Sequence, residues 1–288
     1  MREFKSVGYH PDTIYIQMDI ITICNQHCWY CYARPESNPT ALWGKIMNLS
    51  KAKKLIDGMS KIKYKIILSI LGGEPTLHKN LNEIIEYASK KDNIISIELF
   101  TNGKKPLLIS YNPKLFVNFS FHPSQTNGDS IIENAKKTKT MNIPLSISCL
   151  FEKESKQFYD FINKLKKTKL LEYAKIGIVD SHIPAKPLIV KVPKTELFEG
   201  INEKEFLLDN NPLTLDEIRE KKLNNFFGWK CYKHCLKIDV DGSIAILGGK
   251  SHNLTFDEFK NYIVRVDVCD GVCCNDDNNL IFNRKVLE

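Results

Sequence analysis

Residues 21–35 read ITICNQHCWYCYARP, which sets Cys24, Cys28 and Cys31 in a C-x3-C-x2-C spacing directly after an apolar, alternating run. A structural zinc site is tetrahedral and closed by four protein ligands, so three clustered thiols leave it one ligand short. A cubane iron–sulfur cluster held by three cysteines keeps one iron without a protein ligand, open to a substrate or cofactor. On this stretch alone two other readings stand. One is a zinc knuckle completed by His27 or a remote ligand, the other a redox pair made of Cys28 and Cys31.

Outward from this loop, β-branched runs alternate with helical patterns. The strand candidates are IYIQMDIITI (14–23), YKIILSIL (64–71), ISIELF (95–100), LFVNFSF (115–121), PLSISCLF (144–151) and AKIGIV (174–179). Helices are expected after Ser50, Asn80 and Asp129 as starting residues, and over the amphipathic FYDFINKLKK (158–167). Such alternation implies parallel strands with right-handed crossovers, hence an α/β sheet or barrel whose sites lie at the C-terminal strand ends. Cys24, Gly72, Asn102 and His122 all fall just past an expected strand.

The chain has 288 residues, with 43% hydrophobic and 26% charged residues, enough for one large or two moderate domains with a real core. Its formal charge of +7 comes mostly from lysines scattered in segments such as NKLKKTK and REKKLN. That distribution marks solvated helix faces; an arginine-poor chain without interleaved aromatics argues against a dedicated nucleic-acid surface. The start, MREFKSVGYHPDTIYIQMDI, lacks a continuous apolar core, and no run of about eighteen apolar residues occurs. A cytoplasmic protein without a membrane span is expected. An odd count of 9 cysteines in a chain with no signal peptide points to reduced thiols or metal ligands.

The texture changes near residue 184. IPAKPLIVKVPK carries three prolines, and DNNPLTLDEIREKKLNNFF reads as a loop feeding a helix capped at Thr214. Residues 229–288 form a cysteine-rich segment with a hairpin turned at Asp241-Gly242, a short helix after Thr255, and Cys231, Cys235, Cys269, Cys273 and Cys274 at its two ends. Four thiols would serve a zinc ion or an iron–sulfur cluster equally.

The run LGGEPTLH (71–78) follows the second strand, where two glycines permit close backbone approach and Glu74 offers a carboxylate to a cationic group. Together with the cysteine spacing and LFTNG (99–103), it resembles the radical S-adenosylmethionine (radical SAM) superfamily over residues 14 to about 182. The resemblance implies a partial (β/α)6 TIM-like barrel at 1–185, a connecting segment with a helix at 186–228, and a small C-terminal cysteine-rich auxiliary-cluster module at 229–288. It implies that Cys24, Cys28 and Cys31 ligate three irons of a [4Fe-4S] cluster, while S-adenosyl-L-methionine occupies the fourth. Gly72, Gly73 and Glu74 would hold the methionine ammonium, Tyr30 would border the adenine, and Asn102 and Ser120 would contact the ribose or carboxylate. Simple packing for Tyr30 and an Asn-Gly turn for Asn102 are the competing readings. His122 either faces the substrate or stabilises the turn before Pro123, and Cys149 is expected in the core.

The C-terminal segment looks like the SPASM/Twitch extensions that carry auxiliary [4Fe-4S] clusters, here a single one on Cys231, Cys235, Cys269 and Cys273. It departs from that pattern because ILGGKSH (246–252), after the hairpin, contains no cysteine. Cys273 and Cys274 therefore compete for the fourth place, and a left-over Cys274 would either return a hydrogen atom to a substrate radical or stand as an ordinary second thiol. The resemblance implies an oxidative reaction on a peptide or on a small alcohol, sugar or aminocyclitol, fed by a flavodoxin- or ferredoxin-like electron donor. With the first strand near residue 14 there is no room for an N-terminal leader-binding domain, so a peptide would need a separate recognition protein or none. An RNA-modifying enzyme and a non-catalytic iron–sulfur or zinc scaffold are the rival classes.

Overall fold

The structure, a computed structural model, describes residues 3–6, 10–31, 33–36, 39, 41–151, 155–178, 204–208, 211–214, 230–247, 252–268 and 283–285. Its central sheet begins with β2 (Thr13–Ile21), β3 (Lys65–Gly72), β4 (Ile94–Thr101), β5 (Leu115–Phe121), β6 (Leu145–Phe151) and β7 (Ala174–Ile178), each parallel to the next. The β2 edge is extended by β11 (Cys235–Ile238), which is parallel to β2, and then by antiparallel β12 (Ile244–Ile246) and β13 (His252–Leu254). Nine strands thus form an open sheet that runs from β13 to β7, a partial barrel rather than a closed one.

The crossovers are α1 (Leu49–Met59), α2 (Leu81–Ser89), α3 (Asp129–Thr140) and α4 (Lys156–Lys167). Strand residues alternate between two faces, and those in register across strands share a face. One face carries Ile14, Ile16, Met18 and Ile20 of β2, Val117, Phe119 and Phe121 of β5, and Ile147 and Cys149 of β6, all 0% exposed. It packs on the helices, with Phe121 stacked on Phe161 of α4 at 3.8 Å. Each such fully buried side chain contributes about 1.5–3 kcal/mol, and Cys149 lies in this core as its sequence context requires. On the opposite face Lys237, Gln17, Ser69 and Glu98 stand in one polar register row across β11, β2, β3 and β4. Asn118 beside Ser146, and Ser120 beside Ser148, continue that face on β5 and β6.

The structure corrects two of the expected helix caps and fills in one connection to which the sequence pattern assigns no helix. The β4–β5 connection contains no helix, because NGKKPLLISYNP is interrupted by two prolines; instead Leu107 and Ile109 tuck in. Asn134 of α3, 2% exposed, holds that loop by accepting from Leu107 N at 3.0 Å and donating to Gly103 O and Lys105 O. The first helix is capped by Asn48, whose Oδ1 accepts from Lys51 N at 2.8 Å, not by Ser50. Gly128 rather than Asp129 caps α3, while Asn80 does occupy the cap of α2, without a side-chain bond.

A second, antiparallel sheet was not foreseen. It comprises β1 (Glu3–Ser6), β8 (Lys204–Leu208), β9 (Asn211–Thr214), β10 (Lys230–Tyr232), β14 (Val266–Val268) and β15 (Asn283–Lys285). Thr214, expected to cap a helix, pairs with Lys204 in the β8–β9 ladder; the helix expected after it lies outside the described residues. The hairpin at Asp241-Gly242 forms between β11 and β12, and Thr255 caps α5 (Phe256–Lys260) in a reciprocal capping box with Glu258.

Candidate active site

The C-terminal ends of β2 to β5 converge on the cysteine loop. Cys24 and Cys31 are half-buried, Cys28 is buried, and none is in a disulfide. Burial pushes the Cys24 and Cys31 thiols up, opposed by backbone hydrogen bonds to both sulfurs. The Cys24 Sγ accepts from Gln26 N at 3.4 Å and from Asn102 Nδ2 at 3.7 Å, and Cys31 N donates to Cys28 O at 3.2 Å. Gln125, just past β5, clasps the loop by accepting from His27 N at 2.8 Å and donating to His27 O at 3.2 Å. His27 also bonds Arg34 Nη2 through Nδ1, at 2.6 Å.

The glycines after β3 seat the chain against this loop. Gly73 N donates to Ile21 O at 2.7 Å and Glu74 N to Ile23 O at 2.9 Å. The Glu74 carboxylate, expected to face a ligand cation, is instead enclosed at 1% exposure. Oε1 accepts from Thr76 N at 3.1 Å, Thr76 Oγ1 at 2.6 Å and Thr101 Oγ1 at 2.7 Å, and Oε2 accepts from Asn102 N at 2.7 Å. Glu74 thereby locks the end of β4 to the end of β3, and through Asn102 reaches Cys24. Glu74→Gln keeps the shape but turns one acceptor into a donor, leaving a buried N–H or hydroxyl unpaired. A loss of about 1–3 kcal/mol in stability is expected, readable in thermal melts; unchanged stability would show that the network does not depend on the carboxylate.

Asn102 is both a contact and a turn residue: its Nδ2 also reaches Asn25 Oδ1 at 2.8 Å, while its Oδ1 accepts from Lys104 N at 3.0 Å. Tyr30 and His122 meet, the phenol oxygen lying 2.6 Å from His122 Nδ1. Burial pushes the His122 imidazole down to about 4, so the ring is neutral near pH 7. Ser120 lies on the face of the polar row, one residue before the end of β5. Cys231 and Cys235, both buried, lie on strands of the two different sheets, and Cys269, Cys273 and Cys274 lie outside the described residues.

Sequence reasoning missed the charged groups on the face of the polar row. Tyr15 donates to Glu98 Oε2 at 2.8 Å, and Ser69 Oγ lies 3.0 Å from the same oxygen and bonds Tyr15 as well. Lys237 Nζ stands 3.5 Å from Asp19 Oδ2 and 2.7 Å from Asp239 Oδ1. Burial raises Asp19 to about 6 against the pull of Lys237. The folded chain therefore holds this proton more tightly than the unfolded chain, so Asp19 costs stability as pH rises from about 4 to 6, amounting to about 3 kcal/mol by pH 7. Asp19→Asn should gain stability relative to wild type between pH 4.5 and pH 7.5. A difference in melting temperature that stays constant with pH would contradict this.

Among the described residues no three His, Cys, Asp or Glu side chains come together as ligands of a single metal ion. Thiolates on one ion sit about 2.3 Å from it, whereas three thiolates on different irons of one cubane stand farther apart. Three undisulfided thiols on one loop, with N–H donors aimed at sulfur, suit such a cluster.

Fold and site together define an α/β protein with a loop of three cysteines at the C-terminal ends of a parallel sheet. Residues 18–165, just over half of the chain, match the family model described as Radical SAM superfamily, and the chain belongs to that superfamily. Its cofactors are accordingly a [4Fe-4S] cluster and S-adenosyl-L-methionine. Over 92 residues the chain is 36% identical to a GTP 3',8-cyclase of Haemophilus ducreyi, covering 31% of this chain and 26% of that protein. The chain thus spans about a quarter of that relative's length. Its fold is similar to Streptococcus suis SuiB bound to precursor peptide SuiA (TM-score 0.52, 14% identity, 82% of this chain and 60% of that one). It is also similar to anSMEcpe with bound AdoMet and a Kp18Cys peptide (TM-score 0.51, 15% identity, 82% and 74%). Among the described residues no helix is long and apolar enough to cross a membrane.

Proposed function

We propose that this enzyme is an oxidoreductase that modifies a peptide by hydrogen abstraction, using one electron from a flavodoxin- or ferredoxin-like donor. The observation that carries this reading is the loop of Cys24, Cys28 and Cys31 tied by Asn102 and Gln125 to the ends of β4 and β5, at the mouth of the parallel sheet. When bound, the cluster and S-adenosylmethionine supply a 5'-deoxyadenosyl radical, and an auxiliary [4Fe-4S] cluster supplies an acceptor for the electron left after substrate oxidation.

In this reading Cys24, Cys28 and Cys31 are the ligands of the first cluster, and Cys231, Cys235, Cys269 and Cys273 those of the second, with Cys274 the thiol left over. The backbone of Gly72 and Gly73 receives the methionine ammonium, and Glu74 acts behind it as the group that positions Asn102. Tyr30 borders the adenine, and its bond to His122 fixes both rings across the opening. Neutral His122 orients by hydrogen bonding rather than by charge. Asn102 and Ser120 face the ribose or carboxylate of the cofactor. The polar row of Lys237, Gln17, Ser69 and Glu98 lines the face on which a substrate rich in hydrogen-bonding groups would rest.

The peptide reading draws on the fold shared with SuiB and anSMEcpe, whose structures contain peptides, over four-fifths of this chain. A nucleotide substrate is the second reading, favoured by the GTP 3',8-cyclase likeness over about a third of it. The two separate in an anaerobic assay with a chemical reductant and unlabelled S-adenosylmethionine. Peptides extracted from the source cells grown in deuterated medium should pass deuterium into 5'-deoxyadenosine. Transfer from deuterated GTP, with none from the peptide fraction, would overturn the peptide reading in favour of the nucleotide.

A further inference from the structure

Between the first two cysteines sits Gln26, a long polar side chain that is only 2% exposed. Its backbone N–H bonds the Cys24 sulfur, and its Oε1 lies 3.8 Å from the Cys28 sulfur, accepting the thiol proton. The Nε2 of the same amide is buried with no hydrogen-bond partner among the described residues. A buried amide N–H2 without an acceptor costs about 1–3 kcal/mol, and such an orphan in a folded chain calls for a physical reason.

The thiol form of Cys28 provides the reason. Once Cys28 ligates iron it is a thiolate, with no proton to give, and a carbonyl oxygen against it would be repulsive. A half-turn of the amide exchanges Oε1 for Nε2, two groups of nearly equal size, and sets the unpaired donor against the sulfur. We propose that the Gln26 side-chain amide donates an N–H···S hydrogen bond to the cluster-bound Cys28 thiolate and raises the reduction potential of the cluster. The inference rests on the reading in which Cys24, Cys28 and Cys31 hold that cluster. The bond adds to Gln26 N and Asn102 Nδ2 on the Cys24 sulfur and to the backbone donor on the Cys31 sulfur. The sign follows from charge: reduction adds one electron to the cluster and its thiolates, and an N–H dipole aimed at sulfur stabilises the more negative state.

Gln26→Leu keeps the volume and removes the donor. At the potential where half of the wild-type cluster is reduced, the reduced-to-oxidised ratio of the variant should fall about tenfold, equal to about 59 mV for one electron. The measurement is an EPR-monitored redox titration, with iron per chain measured on the same sample. A ratio within about twofold of wild type at full iron content would overturn the proposal. Should the leucine variant fail to load iron, wild-type protein decides: with side-chain 15N-labelled glutamine, the reduced cluster should show a 15N hyperfine coupling in pulsed EPR, and its absence would overturn the proposal. Wild-type protein that forms no cluster at all would instead remove the reading beneath it.

Discussion

Replacing Cys24, Cys28 and Cys31 together by alanine is expected to remove about four irons per chain and to abolish reductive cleavage of S-adenosylmethionine. The loop supplies these three thiols from eight consecutive residues, and Asn102 and Gln125 hold its backbone and one of its sulfurs from two other strands. Cys149→Ala is the internal comparison. That thiol is 0% exposed on the helix-facing side of β6, and burial pushes its pKa well above the usual thiol value. The substitution opens a small cavity, worth about 1 kcal/mol of stability, and should leave iron content and 5'-deoxyadenosine formation at wild-type levels. Deoxyadenosine formed by the triple variant would refute the ligand assignment, whatever its melting temperature.

A second large effect is expected at the turn after β3, from backbone geometry alone. Gly72 has φ +127, which L side chains rarely adopt, and an added Cβ would lie 1.9 Å from Ile21 O. That carbonyl already accepts from Gly73 N, so it cannot swing away without breaking the bond that seats the cysteine loop. Gly72→Ala therefore combines backbone strain with a clash against backbone, and a loss of about 4 kcal/mol or more is expected. In a chain of this size that lowers the melting temperature by about 10 °C. Gly73→Ala meets Ile23 O at 2.4 Å, one residue before Cys24, and should disturb cluster loading more than its stability cost implies. A Gly72→Ala protein melting within about 2 °C of wild type would show that the two backbones can part, and that close approach is not the reason for glycine there.

The contrast between Glu74 and Gly72 separates what can be read locally from what cannot. Both stand in LGGEPTLH, and their position just past a strand follows from the β-branched run before them. The close approach that requires glycine was legible as a possibility, but the sequence reading assigned it to a ligand. The fold uses it first to seat β3 on the backbone of residues 21–23. Glu74 differs further: its donors Thr101 and Asn102 are 27 and 28 residues away, brought near by the β3–α2–β4 crossover, so no local pattern announces them. The same holds for Tyr30 with His122 and for Gln125 with His27, pairs 92 and 98 residues apart.

The parallel strand series from β2 to β7, the cysteine loop at the end of β2, the β11–β12 hairpin and the Thr255 cap were legible in the chain alone, because period-2 alternation, turn residues and capping boxes act within a few residues. Tertiary contacts alone settled how the loop between β4 and β5 is held, by bonds from Asn134 of another crossover to Gly103, Lys105 and Leu107. They also set the second sheet, whose strands of 3 to 5 residues are too short to show a period. Lys237 and Asp19 face each other for the same reason: β11 joins the sheet beside β2, and that pairing of segments more than two hundred residues apart is set by burial and strand hydrogen bonds across the chain, not by any neighbour in sequence.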